Sequence, residues 1–193
     1  MNKTTAYKIF FIALIMFFMT NGTHSETISE INSTIRRLPP SVFSGLSQEI
    51  IRALESRGCT IPQVYDDLRP HNVIHGEFIK KGQKDLAVLC SREQISTILI
   101  FQGGAANKVL EIASSPDEKR LQTFADGQYG YSREIMTAGK KQIIQYNKNA
   151  KEFGVEQDLP QITHDGIDDI FVNKASVVHY YYKGQWQKLL GSD

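Results

Sequence analysis

A short pattern occurs twice in this chain and constrains its fold more than any other feature: Gly82-Gln83-Lys84-Asp85-Leu86-Ala87-Val88, and later Gly166-Ile167-Asp168-Asp169-Ile170-Phe171-Val172. Each copy reads as a turn that delivers the chain into a strand. A second apolar run follows each, residues 96–101 after the first copy and 176–182 after the second. A turn-strand-turn-strand unit is therefore used twice, with the matched aspartates Asp85 and Asp169 lying 84 residues apart.

Around the first copy, strands are expected over 72–79, 85–90, 95–102 and 108–112. The runs Leu86-Ala87-Val88-Leu89 and Ile98-Leu99-Ile100-Phe101 are apolar without alternation, which suits strands covered on both faces. The middle of the chain, 117–131, is polar with aromatic punctuation. Residues 134–136 and 142–146 then read as a hairpin joined through Ala138-Gly139-Lys140, followed by a long polar passage to Gln161. The second copy closes the chain with strands over 169–173, 176–182 and 185–189, turning at Lys183-Gly184.

Two helical stretches precede the strands. Ile28, Ile31 and Ile35 recur at helical spacing until Leu38-Pro39-Pro40 stops them. A second helix is expected from Ser41 to Arg57, with Phe43, Leu46, Ile50 and Leu54 as its apolar stripe and Gly58 as its stop. Its other face mixes Glu49, Arg52, Glu55 and Arg57, the pattern of a solvated face rather than a membrane-binding one. The fold class expected is α+β: a single domain over residues 26–193, an N-terminal helix packed on mostly antiparallel β-sheet made of two related hairpin units.

The first 25 residues read as a signal peptide. Lys3 and Lys8 precede an unbroken apolar stretch from Ile9 to Met19, and small polar residues end at Ser25. About eleven apolar residues rise only about 16 Å as a helix, too short for a hydrocarbon core of about 30 Å. The chain is thus expected to be periplasmic or secreted, without a stable membrane anchor after cleavage. In such a compartment Cys59 and Cys90 are expected to form a disulfide, worth about 3 to 4 kcal/mol for a loop of that length. The formal charge of +1 becomes −1 once Lys3 and Lys8 are removed. That balance argues against a nucleic-acid partner.

The segment Gly76-Glu77-Phe78 with Gly82-Gln83-Lys84-Asp85-Leu86-Ala87-Val88-Leu89 resembles one unit of the FG-GAP or VCBS-like repeats of secreted and cell-surface β-propeller proteins. The second copy resembles it more loosely. The whole chain, ending in Ser176-Val177-Val178-His179-Tyr180 and Lys183-Gly184-Gln185-Trp186, also resembles a small group of exported bacterial proteins of unassigned function. The repeat resemblance implies calcium-binding loops. In the first copy Ile79, Lys80, Lys81 and Gln83 stand where oxygen ligands are needed. The second keeps only Asp165, Asp168 and Asp169 as metal candidates, and aspartates in such turns more often cap backbone N–H groups.

Candidate chemistry is sparse. His164, Asp165 and Asp169 with His75 could form an acid-base or metal cluster if the two units pack side by side, which would make the protein a hydrolase or metal-dependent enzyme. His71 and His75 lack zinc-ligand spacing, no serine sits in a nucleophile elbow, and Gly103-Gly104 lacks the lysine and threonine of a phosphate loop. No cofactor is implied. The aromatic residues Tyr181 and Trp186, joined by Tyr129 and Tyr131, are the stronger candidates for a binding surface. The expectation is a non-enzymatic binding or interaction protein, with a protein or carbohydrate partner.

Overall fold

The computed structural model describes residues 27–192 apart from 66, 125 and 126; the expected signal peptide over 1–25 lies outside the described residues. Two antiparallel sheets pack face to face between helices, and each layer follows from a pattern in the sequence.

Helix α1 (Ile28–Thr34) begins at a capping box. The Glu30 N–H donates to Thr27 Oγ1, and the Thr27 N–H donates to the Glu30 carboxylate. Helix α2 (Gln48–Ser56) starts later than Ser41. Residues Pro40–Val42 form a single tight turn, and Ser47 caps the helix by accepting the Ile50 N–H. Phe43, Leu46, Ile50 and Leu54 are nevertheless all buried, so the apolar stripe includes two residues that precede the helix.

Two short strands, β1 (Arg37–Leu38) and β2 (Ile61–Pro62), pair with each other. The first large sheet is a four-stranded antiparallel meander: β3 (Val73–Gly76), β4 (Asp85–Arg92), β5 (Ile95–Phe101) and β6 (Val109–Pro116). On one face Leu86, Val88, Cys90, Leu99 and Phe101 pack against α2. On the other, Ala87, Leu89, Ile98 and Ile100 meet Ile135 and Ile167 of the second sheet. Coverage of both faces accounts for the two apolar runs without alternation. Cys59, just past α2, bonds to Cys90 of β4 with a Cα–Cα distance of 5.2 Å.

A two-stranded hairpin, β7 (Leu121–Thr123) with β8 (Tyr129–Tyr131), leads into the second sheet. That sheet is again a four-stranded meander: β9 (Arg133–Ala138), β10 (Gly166–Phe171), β11 (Ala175–Tyr182) and β12 (Gln185–Leu190). The expected hairpin between 134–136 and 142–146 is not formed, because β9 pairs with β10 and residues 140–152 are helical. This helix, α3 (Lys140–Glu152), carries four lysines and two glutamines, which favour helix. Its residues Ile143 and Tyr146 pack on Val178, Tyr180 and Leu189. The order of layers is therefore α2, first sheet, second sheet, α3.

The first strands of the two meanders meet at a seam. The Ile135 N–H donates to Asn72 Oδ1 at 2.9 Å, and Thr137 Oγ1 donates to the His75 carbonyl at 2.9 Å. The outer edge of the second sheet is finished by a side chain. Gln157 Oε1 accepts the Leu190 N–H at 2.8 Å, and its Nε2 donates to the Lys188 carbonyl at 3.1 Å, as a further strand would.

Candidate functional site

Side-chain commitments decide what the four candidate polar residues can do. His75 is exposed on β3. His164 is buried, its ring stacked on Tyr180 with centroids 4.4 Å apart. Its Nδ1 faces the Asp165 carbonyl and its Nε2 the Tyr181 carbonyl, both at 2.9 Å, so neither ring nitrogen is free for a substrate or metal. Asp165 Oδ2 accepts the Glu77 N–H at 3.0 Å and so ties the entry of β10 to the end of β3. Asp169 points into the space between the sheets. The four do not converge.

The three aspartates considered as metal ligands diverge likewise. Asp168 and Asp169 are neighbours on a strand and so face opposite ways. Asp168 lies toward α3, where its Oδ2 accepts the Tyr146 hydroxyl at 2.9 Å. Burial pushes its carboxyl above the usual carboxylate range. Asp169 faces the first sheet and is held by Arg133 through two contacts of 2.8 Å. Burial alone would raise the Asp169 carboxyl, but His179, Arg133 and Arg120 outweigh it and hold it at about 2. Among the described residues no three His, Cys, Asp or Glu side chains form a group that could hold a metal.

The matched aspartates of the two copies also do different work. Asp85 opens β4 and caps the turn before it, accepting the Ile79 N–H at 2.9 Å and the Gly103 N–H at 2.7 Å. Asp169 sits in mid-strand, opposite Ile135 and Val177.

Of the four aromatic candidates, three are drawn into packing. Tyr181 and Trp186 are cross-strand partners, half-buried and edge-to-face at 5.3 Å, and Trp186 rests on the core between the sheets. Tyr131 is 1% exposed and gives its hydroxyl proton to Ser96 Oγ at 2.9 Å, so its ring belongs to the core, although the residue also lines a cleft with Tyr129. Burial pushes this hydroxyl far up, which keeps it a donor. Tyr129 alone presents much of its surface, 48% of it.

Tyr129 borders a groove that the sequence does not reveal. One cleft of about 200 Å³ is lined by Arg36, Gln63, Tyr65, Gln128 and Tyr129 among others. A second, about 490 Å³, is lined by Tyr65, Asp67, Arg69, Phe124 and Glu134 among others. Tyr65 lines both. It is fixed by its N–H on the Tyr131 carbonyl at 2.8 Å and by stacking on Phe124 at 4.2 Å. Gly130 makes this approach possible, since a Cβ there would stand 2.3 Å from Tyr65 Cβ. Formal charge in the groove is balanced, with Arg36 and Arg69 against Asp67 and Glu134. None of His75, His164, Asp165 or Asp169 lines either cleft. The one signal available in the sequence was the glycine in Tyr129-Gly130-Tyr131, which marks a close backbone approach.

The chain matches no known family model, no curated protein and no solved structure.

Proposed function

We propose that the protein is an exported, non-enzymatic binding protein whose ligand is a carbohydrate held in the groove on either side of Tyr65. In this reading residues 1–25 are a cleaved signal peptide, the mature chain is a single domain whose two meanders are related hairpin units, and it works in the periplasm or outside the cell. The Cys59–Cys90 disulfide is in keeping with such a compartment.

The observation that carries the reading is the pairing of an exposed ring with flat polar groups of balanced charge. Tyr129 offers a ring surface, and Gln128, Arg36 and Glu134 offer hydrogen-bonding groups suited to hydroxyls. Balanced charge favours an uncharged ligand over an anion or a cation.

A hydrolase at His164, Asp165, Asp169 and His75 is the alternative. The commitment of both His164 ring nitrogens to carbonyls and of Asp169 to Arg133 counts against it.

Calorimetric titration with a panel of neutral oligosaccharides tests the proposal. Tyr129→Ala is expected to weaken binding about two- to tenfold, the share a stacked ring contributes, without moving the unfolding midpoint. A chain that binds no oligosaccharide, or one that binds equally well without the Tyr129 ring, rules the groove out as a carbohydrate site.

A further inference from the structure

Helix α3 carries four lysines, Lys140, Lys141, Lys148 and Lys151, against the single carboxylate of Glu152. All four lysines are exposed. At 3.6 residues per turn Lys140, Ile144, Lys148 and Lys151 share one stripe with Lys141 at its border, opposite the buried side that carries Ile143, Tyr146 and Ala150. Ile144, in the middle of the stripe, is 46% exposed. Among the described residues none of the four lysines is paired with a carboxylate. In a chain whose charges nearly cancel, this face is a local excess of positive charge with one apolar side chain, Ile144, set into it.

We infer that this face of α3 docks the protein on an anionic lipid surface. Size decides against a folded acidic protein. Thirteen residues span about 20 Å, and a helix face about 10 Å wide presents on the order of 200 Å², well short of the roughly 800 Å² that each partner of a stable protein complex contributes. The face is also convex: none of the four lysines lines a cavity described above. A bilayer requires neither area nor shape. It presents a continuous negative field, in which each lysine contributes about fivefold in partitioning. Four lysines less one glutamate compound to roughly a hundredfold. Ile144 can enter the boundary between headgroups and acyl chains, the arrangement that surface-bound helices use. The attraction falls off within a Debye length, so salt releases it. Helix α2 makes the contrast, since its exposed face alternates Glu49, Arg52, Glu55 and Arg57.

This inference is independent of the carbohydrate reading, because the groove and α3 share no residue. The test compares partitioning of the protein, as purified from cells, into phosphatidylglycerol-containing vesicles and into neutral phosphatidylcholine vesicles. An apolar leader retained on the chain would add to both, so the ratio is the readout. The ratio is expected to be about a hundred at about 0.01 M salt and to fall close to one at about 1 M salt. The variant Lys140→Gln/Lys141→Gln/Lys148→Gln/Lys151→Gln is expected to lose the preference while its circular dichroism and unfolding midpoint stay unchanged. Ile144→Ser is expected to weaken anionic partitioning severalfold on the wild-type background. A ratio near one at low salt, or a quadruple variant that keeps the wild-type ratio, overturns the proposal. So does retention on immobilised poly-glutamate without retention on anionic vesicles, which would assign the face to an acidic protein.

Discussion

Arg133 and Asp169 lie on adjacent strands of the second sheet and meet in a two-bond fork, Nε to Oδ1 and Nη2 to Oδ2, each 2.8 Å. The remaining N–H groups of the guanidinium reach the first sheet. Nη1 donates to the Ser96 carbonyl and hydroxyl, and Nη2 also donates to the Ala113 carbonyl at 2.7 Å. Both acceptors lie on strands β5 and β6, whose register shifts between Ser96 and Ile98. The shift and the positive φ of Ala113 mark a bulge where a regular ladder is interrupted. All five donors of a buried arginine thus have partners, so the charge is carried inside the molecule without an orphan.

Removing one member of this pair strands the other. Asp169→Ala is expected to cost about 3 to 5 kcal/mol in urea unfolding at neutral pH. The double change Arg133→Met/Asp169→Leu should cost clearly less than the sum of the two single changes, because it leaves no uncompensated charge. Additive losses in that cycle would show that the fork is not coupled.

The acid limb of stability follows from the same carboxylate. Its folded value of about 2 lies below the unfolded value of about 3.9, so its contribution is fully present above the unfolded value. It is lost as the pH falls through about 2 and amounts to roughly 2 to 3 kcal/mol. Comparing unfolding free energies of wild type and Asp169→Asn between pH 7 and pH 2 checks this, and the gap between them should narrow on the acid side.

Asp168 has the opposite sign. Burial raises its folded value above the unfolded one, so its ionised form costs stability at neutral pH and the cost is relieved as protonation sets in. Asp168→Asn keeps an acceptor for the Tyr146 hydroxyl and is expected to stabilise the protein by about 1 kcal/mol at pH 7. Thermal melts at pH 7 and at pH 4 should show that advantage shrinking in acid.

The disulfide joins the end of α2 to a central strand and closes a loop of 31 residues. Cys59→Ala/Cys90→Ala is expected to lower stability by about 3 to 4 kcal/mol. A loss of under about 1 kcal/mol would mean that packing of Ile50 and Leu54 alone fixes the helix on the sheet.

Gly130→Ala tests the groove by shape. The added methyl meets the Tyr65 side chain at 2.3 Å, and Tyr65 cannot retreat without giving up its bond to the Tyr131 carbonyl. A loss of about 1 to 3 kcal/mol is expected, the range for overpacking. Tyr129→Ala, by contrast, should unfold within about 0.5 kcal/mol of wild type, as exposed positions do.

What could be read in the sequence was what depends on near neighbours. The strands β4 and β5 announced themselves because both faces of each are covered, and Cys59 with Cys90 could be paired because the sequence holds two cysteines. Helix α3 was hidden because its buried side is narrow: Ile143 and Ile144 stand next to each other and mimic a strand, although only Ile143 is buried. Read as a hairpin, the segment scatters its lysines; wound as a helix, it gathers them. The groove was hidden for another reason. Tyr65 lies in a polar connector about sixty residues before Gly130, and no local pattern records that Tyr65 packs against that glycine. Arg133 looked like an ordinary strand residue, since the acceptors that make its burial tolerable come from residues 20 to 37 positions away.

The edge of the second sheet is closed by the amide of Gln157 rather than by a strand. A strand from another molecule could add there only after displacing that amide, whose hold consists of two hydrogen bonds. Resistance to fibrous growth at this edge is therefore a local property, set by one side chain on a loop and separable from the stability of the folded body. Deamidation of Gln157 in aged protein would remove the donor to Lys188 while keeping an acceptor for the Leu190 N–H, and so would loosen the edge while the core stays intact.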